Sequence, residues 1–215
     1  TPQGAPLSPL LANLYMRRFI LAWHQHGLQE QLDAHIVSYA DDLVICCRGT
    51  GAQAYAAMQS LMTRLKLTAN EAKSSLRRLP EDSVDFLGYT IGRCYAPTTG
   101  RAYVGTYPSK KAVRHVCAAI AEATQQRWLW RDAQDVVAGL NRVMTGWANY
   151  FCLGPVSKAY RAVDAHARER LRRWLCRKHK VPSKGCARFP DQILHERFGL
   201  ARLAQRTRDL PWAHA

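Results

Sequence analysis

Two adjacent carboxylates, Asp41 and Asp42, are the residues of this sequence best suited to chemistry. They lie between the apolar stretches 36–37 and 43–45, in a pattern typical of a hairpin. Strands disfavour Asp, and neighbouring like charges repel, so the pair is unfavourable unless a cation binds it. Carboxylate oxygens suit Mg²⁺, which proteins often hold beside substrate phosphates. The pattern therefore favours a magnesium site for phosphoryl transfer over a turn that is simply exposed to water.

Positive charge is concentrated in the second half of the chain. The 215 residues carry 31 Lys and Arg against 16 Asp and Glu, a net charge of +15. Residues 1–100 are nearly balanced at +1, whereas residues 101–215 carry +14. This separation predicts a catalytic or scaffold part joined to a part that binds nucleic acid, rather than a basic surface that only aids solubility.

The basic half contains two predicted helices that are rich in cations. Lys110, Lys111 and Arg114 fall in the first turn of the earlier helix, where the helix dipole disfavours cations and a bound phosphate would compensate them. The later helix, over about 156–178, has an apolar stripe on one side. Its other faces carry the remaining predicted RNA-binding residues: Lys158, Arg161, Arg168, Arg172, Arg173, Arg177 and Lys178. Tryptophans 128, 130 and 147 have the type needed to stack on bases, although their spacing favours a place in the core.

Apolar periodicity predicts an α+β protein. We expect helices over about 8–26 and 52–67, a hairpin over 35–47, strands over 75–79 and 84–91, and a turn at 97–100. From Ser109 onward the pattern becomes helical, with Ser109 and Asp132 as predicted N-caps. The boundary between the mixed part and the all-α part is predicted near 105, which gives domains 1–105 and 106–215.

The seven cysteines predict a reduced, cytoplasmic protein, because their number is odd and none forms a Cys-x-x-Cys pair. Cys176, His179 and Cys186 resemble the start of a zinc site, but the sequence supplies no fourth ligand nearby. No apolar run approaches the roughly 20 residues that a membrane span needs.

Four ordered motifs resemble the palm of a reverse transcriptase, and the ensemble is similar to bacterial group II intron reverse transcriptase/maturases. The palm motifs are residues 1–13, Tyr39-Ala40-Asp41-Asp42, residues 67–74 and Phe86-Leu87-Gly88-Tyr89. Residues 107–111, 140–151 and 171–175 resemble the thumb, or maturase domain X. The resemblance implies a partial palm, with an antiparallel sheet and helices, followed by an all-α thumb.

The resemblance also implies roles for individual residues. Asp41 and Asp42 would hold the catalytic Mg²⁺ ions, and Lys73 would act on the leaving pyrophosphate. The nucleotide, template and primer would be contacted by Gln3, Gly4, Pro6, Tyr39, Ala40, Phe86, Leu87 and Gly88. The implied partners are intron RNA, an RNA template with a DNA primer, dNTP and, in the full-length protein, target DNA, but no membrane.

One part of the family pattern is not found in this sequence. The two-metal site of the family needs a third carboxylate, which we expect upstream of Thr1 together with the nucleotide-clamping fingers. We therefore expect a chain that is truncated at its N-terminus and inactive as a polymerase by itself. Two readings remain open: a group II intron reverse transcriptase that also assists splicing and mobility, and a non-catalytic splicing cofactor that only binds RNA. A reverse transcriptase recruited to host defence fits less well, because of the domain X likeness.

Overall fold

The computed structural model describes residues 7–40, 42–70, 74–182, 185–208 and 210. Its chain forms two compact units, residues 1–78 and 79–215. Both contain helices and antiparallel strands, so the protein is α+β, as predicted from the sequence. Within the described residues, no helix combines the length and apolar character that a membrane crossing requires.

The first unit packs a two-stranded hairpin against helices. Phe19 and Trp23 on the first helix and Ala54, Met58 and Leu61 on the third form its buried core. The Trp23 indole donates a hydrogen bond of 3.1 Å to the Ala34 carbonyl oxygen, which fixes the start of the hairpin. The elements are α1 (Leu7–Gln25), α2 (Leu28–Gln31), β1 (Ala34–Tyr39), β2 (Asp42–Cys47) and α3 (Gly51–Arg64).

The second unit joins a three-stranded antiparallel sheet, in the order β3-β4-β5, to a helical bundle. Its strands are β3 (Val84–Phe86), β4 (Tyr89–Tyr95) and β5 (Ala102–Pro108). The helices are α4 (Lys110–Ala123), α5 (Ala133–Tyr150), α6 (Ser157–Lys178) and α7 (Asp191–Glu196), with 3₁₀ turns at Gln126–Trp128 and Leu203–Arg208.

The bundle core is built from the predicted apolar stripes. Leu140 and Met144 of α5 and Val163, Ala167 and Leu171 of α6 are fully buried. Both predicted N-caps are confirmed: the Ser109 hydroxyl accepts from the Ala112 N–H at 3.1 Å, and the Asp132 carboxylate accepts from the Gln134 N–H at 2.7 Å. Local sequence thus determines where α4 and α5 begin.

Two strand predictions are wrong. Residues 75–79 form no strand, because they are exposed and no described strand pairs with them. The predicted strand over 84–91 is instead two strands with a reversal at Leu87-Gly88, both of which have positive φ, 49° and 79°. The apolar character of the segment hid a two-residue turn of the kind that matches strand twist.

The helices α4 and α6 run side by side in the same direction. The His166 ring nitrogen lies 3.1 Å from the Cys117 carbonyl oxygen, and one turn later Arg170 donates to the Ala121 carbonyl oxygen at 2.8 Å. Because the contacts advance together along both helices, the first turns of α4 and α6 lie at the same end of the bundle. The connection from α5 enters α6 at that end as well.

Candidate functional site

The hairpin β1–β2 places Asp42 at a tight reversal. Tyr39 pairs with Asp42, so only Ala40 and Asp41 lie between the strands. Ala40 has φ of 52°, in the left-handed region that two-residue hairpin turns use. The predicted hairpin is therefore confirmed, although Asp41 itself lies outside the described residues.

The carboxylate of Asp42 is suited to a cation. Its side chain is exposed, and among the described residues it has neither a hydrogen bond nor an ion pair. Hard oxygen ligands that no cationic side chain neutralises fit Mg²⁺. Among the described residues, no group of three or more His, Cys, Asp and Glu is placed to bind a metal ion. Cys176, His179 and Cys186 therefore form no such group.

The expected nucleotide and primer residues fall partly outside the described chain. Gln3, Gly4, Pro6 and Lys73 are not described. Tyr39 is 64% exposed at the end of β1 and presents its ring beside the reversal. The remaining expected primer contacts, Phe86, Leu87 and Gly88, lie in the second unit.

The Leu87-Gly88 turn is fastened to the end of α5. The Tyr150 hydroxyl donates to the Leu87 carbonyl oxygen at 3.0 Å, and the Ser109 N–H donates to the Gly88 carbonyl oxygen at 2.9 Å. A Cβ on Gly88 would lie 2.8 Å from the Phe151 ring. Glycine is needed here both for the positive φ and for the close approach of that ring.

An aromatic cluster surrounds the turn. Tyr89 donates to the Tyr150 carbonyl oxygen at 2.5 Å, and its ring lies 5.0 Å from that of Phe151. Tyr160 of α6 donates to the carbonyl oxygens of Ala148 and Phe151. Burial raises the pKa of Tyr160 to about 12. The motif 86–89 and the end of the segment 140–151 therefore pack together, although the sequence places them in separate predicted domains.

Five exposed cations without an ion pair among the described residues lie at this end of the bundle, which we call the hairpin end after the β3–β4 hairpin that it carries. They are Lys110, Lys111, Arg114, Lys158 and Arg161. Arg161 makes one contact, a 3.3 Å hydrogen bond to the Ser157 carbonyl oxygen. The starts of two parallel helices add positive dipole charge to these side chains. The arrangement can bind the phosphates of a nucleic-acid backbone.

Several other predicted RNA-binding residues have partners inside the protein. Arg168 and Arg172 both form ion pairs with Asp191, and Arg172 also donates to the Phe189 carbonyl oxygen at 2.9 Å. Arg173 pairs with Glu169 one turn before it on α6. Lys178 donates to the carbonyl oxygens of Leu129 and Arg131. Arg177 is exposed and has no ion pair among the described residues.

Two family models match parts of this chain. Residues 1–91 match the family model for reverse transcriptase (RNA-dependent DNA polymerase), and residues 113–188 match that for the group II intron, maturase-specific domain. The chain belongs to the group II intron reverse transcriptase/maturase family. A comparison with curated proteins found no match.

The family assignment fixes the general function. This reverse transcriptase/maturase belongs to the RNA-directed DNA polymerases and acts with group II intron RNA. Reverse transcriptases use divalent metal ions. The reverse-transcriptase match ends three residues beyond the Leu87-Gly88 turn, within β4, and the maturase match begins inside α4. The predicted boundary near 105 falls between the two matches, whereas the compact units divide at 78–79.

We expect Gly88→Ala to destabilise the second unit by about 2–4 kcal/mol, because positive φ and overpacking against Phe151 each cost about 1–2 kcal/mol or more. Chemical denaturation of the purified chain measures this change. Gly100→Ala is the matched control, since Gly100 also has positive φ (66°) but nothing lies within 4 Å of the added Cβ. Equal losses in the two variants would mean that the Phe151 contact does not require glycine.

Proposed function

We propose that Asp41 and Asp42 bind Mg²⁺ in the polymerase site of this reverse transcriptase/maturase. The observation that carries the proposal is the two-residue reversal after Tyr39, which presents Asp42 with no partner among the described residues. When bound, Mg²⁺ supplies charge stabilisation for attack of a primer 3′-hydroxyl on the α-phosphorus of a dNTP. The chain's own part is to supply both carboxylates directly after Tyr39 and to place the Tyr39 ring beside the primer end.

The remaining polymerase contacts follow the family resemblance. Gln3, Gly4 and Pro6 contact the template and the incoming nucleotide in this proposal, and Ala40 lines the primer 3′ end beside Tyr39. Lys73 stabilises the leaving pyrophosphate. The Leu87-Gly88 turn supports the primer strand, with Phe86 beside it. The hydrogen bonds from Tyr150 and Ser109 favour this role, because they fix the backbone of the turn that the primer strand would contact.

We propose that the hairpin end binds the phosphate backbone of intron RNA or of the template–primer duplex. Five exposed cations at the starts of two parallel helices support this assignment, and they lie at the same end as the turn proposed to support the primer. Arg168, Arg172 and Lys178 are already engaged within the protein, so we assign them a structural part in shaping α6 and a smaller part in RNA binding.

A second function, splicing assistance without DNA synthesis, is favoured by one observation. The five cations of the hairpin end all belong to the second unit and need nothing from the Asp41-Asp42 hairpin. RNA binding is therefore separable from polymerisation in this chain.

Replacing Asp41 by Asn should separate the two roles in an active reverse transcriptase that contains this chain. We expect primer extension to fall about 100-fold or more, because several kcal/mol of charge stabilisation are lost. RNA binding, measured by filter retention, should stay within about twofold. Asp33→Asn is the control, since Asp33 is an exposed carboxylate at the other end of the same hairpin. Unchanged extension by the Asp41→Asn protein would refute the proposed metal site.

The 215 residues by themselves should not extend a primer. The family resemblance calls for a third carboxylate in the two-metal site, and the motifs of this chain supply only Asp41 and Asp42. Incubation of the purified chain with a primed RNA template, Mg²⁺ and dNTPs should give no product above background. Extension that depends on Asp41 would show that the chain completes its own site.

Replacing Lys110, Lys111 and Arg114 together by Gln should weaken RNA binding and reduce its dependence on salt. Each lost phosphate contact lowers the slope of log affinity against log salt by about 0.7–0.9, so the slope should fall by about 2–3. Fluorescence anisotropy over a salt series measures both quantities. Arg101→Gln, which removes an exposed cation from the β4–β5 turn, should lower the slope by much less. An unchanged slope in the triple variant would place the RNA elsewhere.

A further inference from the structure

An exposed tryptophan lies at the end of the bundle opposite the hairpin end. Trp130 is 76% exposed, the largest exposed fraction among the large hydrophobic side chains that the structure describes. It belongs to residues 125–132, the connection between α4 and α5, which we call the tryptophan loop. Tryptophan is usually well buried, because leaving so large an apolar surface in water is unfavourable.

The tryptophan loop is held in place by contacts that leave Trp130 76% exposed, although its ring lies 6.4 Å from that of Trp128, centre to centre. Lys178 donates to the carbonyl oxygens of Leu129 at 2.9 Å and of Arg131 at 2.7 Å, one on either side of Trp130. The Trp128 indole donates to the Glu122 carbonyl oxygen at 3.1 Å, and Leu129 packs against the core. The ring is thus presented by a fixed backbone, which lowers the entropy lost when a ligand binds.

Arginines flank Trp130 in the chain, and the carboxylates of Glu122, Asp132 and Asp135 lie close to them in sequence. The Arg127 and Arg131 guanidinium carbons lie 5.0 Å and 5.6 Å from the centre of the Trp128 ring. Arg127 is paired with Glu122, and the Asp132 carboxylate is used as the α5 cap. Arg131 has no ion pair among the described residues, and the exposed Arg177 precedes Lys178 in the last turn of α6.

We propose that the tryptophan loop is a second RNA contact, in which Trp130 stacks on an unpaired base and Arg131 and Arg177 bind the adjoining phosphates. The inference rests on the RNA-binding function proposed above and adds a site that favours single-stranded RNA. An aromatic face with neighbouring cations matches a base and its phosphate, and base–aromatic stacking does not depend on sequence. Charge favours RNA over an apolar protein partner, because docking an apolar surface here would bury Arg131, which has no ion pair among the described residues.

The two RNA contacts are far apart on one rigid element. Lys158 and Lys178 lie 20 residues apart on α6, or about 30 Å along the helix axis at 1.5 Å per residue. An RNA that has a paired stem at the hairpin end and an unpaired segment at the tryptophan loop satisfies both contacts at once. Simultaneous binding raises affinity without any new contact.

Trp130→Ala tests this site, with affinities measured by fluorescence anisotropy for two RNAs of equal length. Because stacking contributes about 1–3 kcal/mol per base, affinity for an unstructured single strand should fall about fivefold or more. Affinity for a blunt-ended duplex should change less than twofold. Trp130→Phe keeps an aromatic face and should restore most of the single-strand affinity. Tyr95→Ala is the matched control, because Tyr95 is 62% exposed and belongs to β4.

Each outcome bears on a different claim. If Trp130→Ala leaves single-strand affinity unchanged while the Lys110, Lys111 and Arg114 triple variant lowers it, the tryptophan site is wrong and the hairpin end stands. If the triple variant changes binding to neither RNA, the proposed RNA-binding function fails first. Equal losses of affinity for the duplex and the single strand in Trp130→Ala would also overturn stacking on a base. So would a Trp130→Ala protein that has lost only self-association, measured by sedimentation, and binds both RNAs normally.

Discussion

The fastening of the Leu87-Gly88 turn to the end of α5 is the interaction on which the second unit depends. Hydrogen bonds from Tyr150 and Ser109 hold the two turn carbonyls, and the Phe151 ring occupies the space that a side chain on residue 88 would fill. The turn has no freedom to move without breaking these contacts. The end of the reverse-transcriptase match is therefore a structural part of the helical bundle rather than an appendage to it.

This fastening also fixes the position of the α4 cations at the hairpin end. The same contact that holds the turn fixes the first turn of α4, because Ser109 is both its N-cap and the donor to Gly88. Since α4 and α6 run in the same direction, their positive ends meet beside the turn. A nucleic-acid strand supported by the turn would meet these charges without any rearrangement of the bundle.

Many of the basic side chains of α6 bind other groups of the protein itself. Arg168 and Arg172 hold Asp191 at the start of α7, while Arg170 binds the last carbonyls of α4. Lys178 fixes the tryptophan loop. Net charge alone therefore overstates the surface available to RNA; among the described residues, five exposed cations without an ion pair lie at the hairpin end, and Arg177 and Arg131 lie at the other.

The sequence by itself determined the features that depend on neighbours in the chain: the caps at Ser109 and Asp132, the apolar stripe of α6, the hairpin around Asp42 and the order of the family motifs. Only the tertiary structure decided which cations remain free and which tryptophan is exposed. The partners of Lys178 lie 49 and 47 residues before it, and helical periodicity carries no information over such distances. The need for glycine at position 88 was hidden for the same reason, because the ring that excludes a side chain there is Phe151, brought in by the packing of α5.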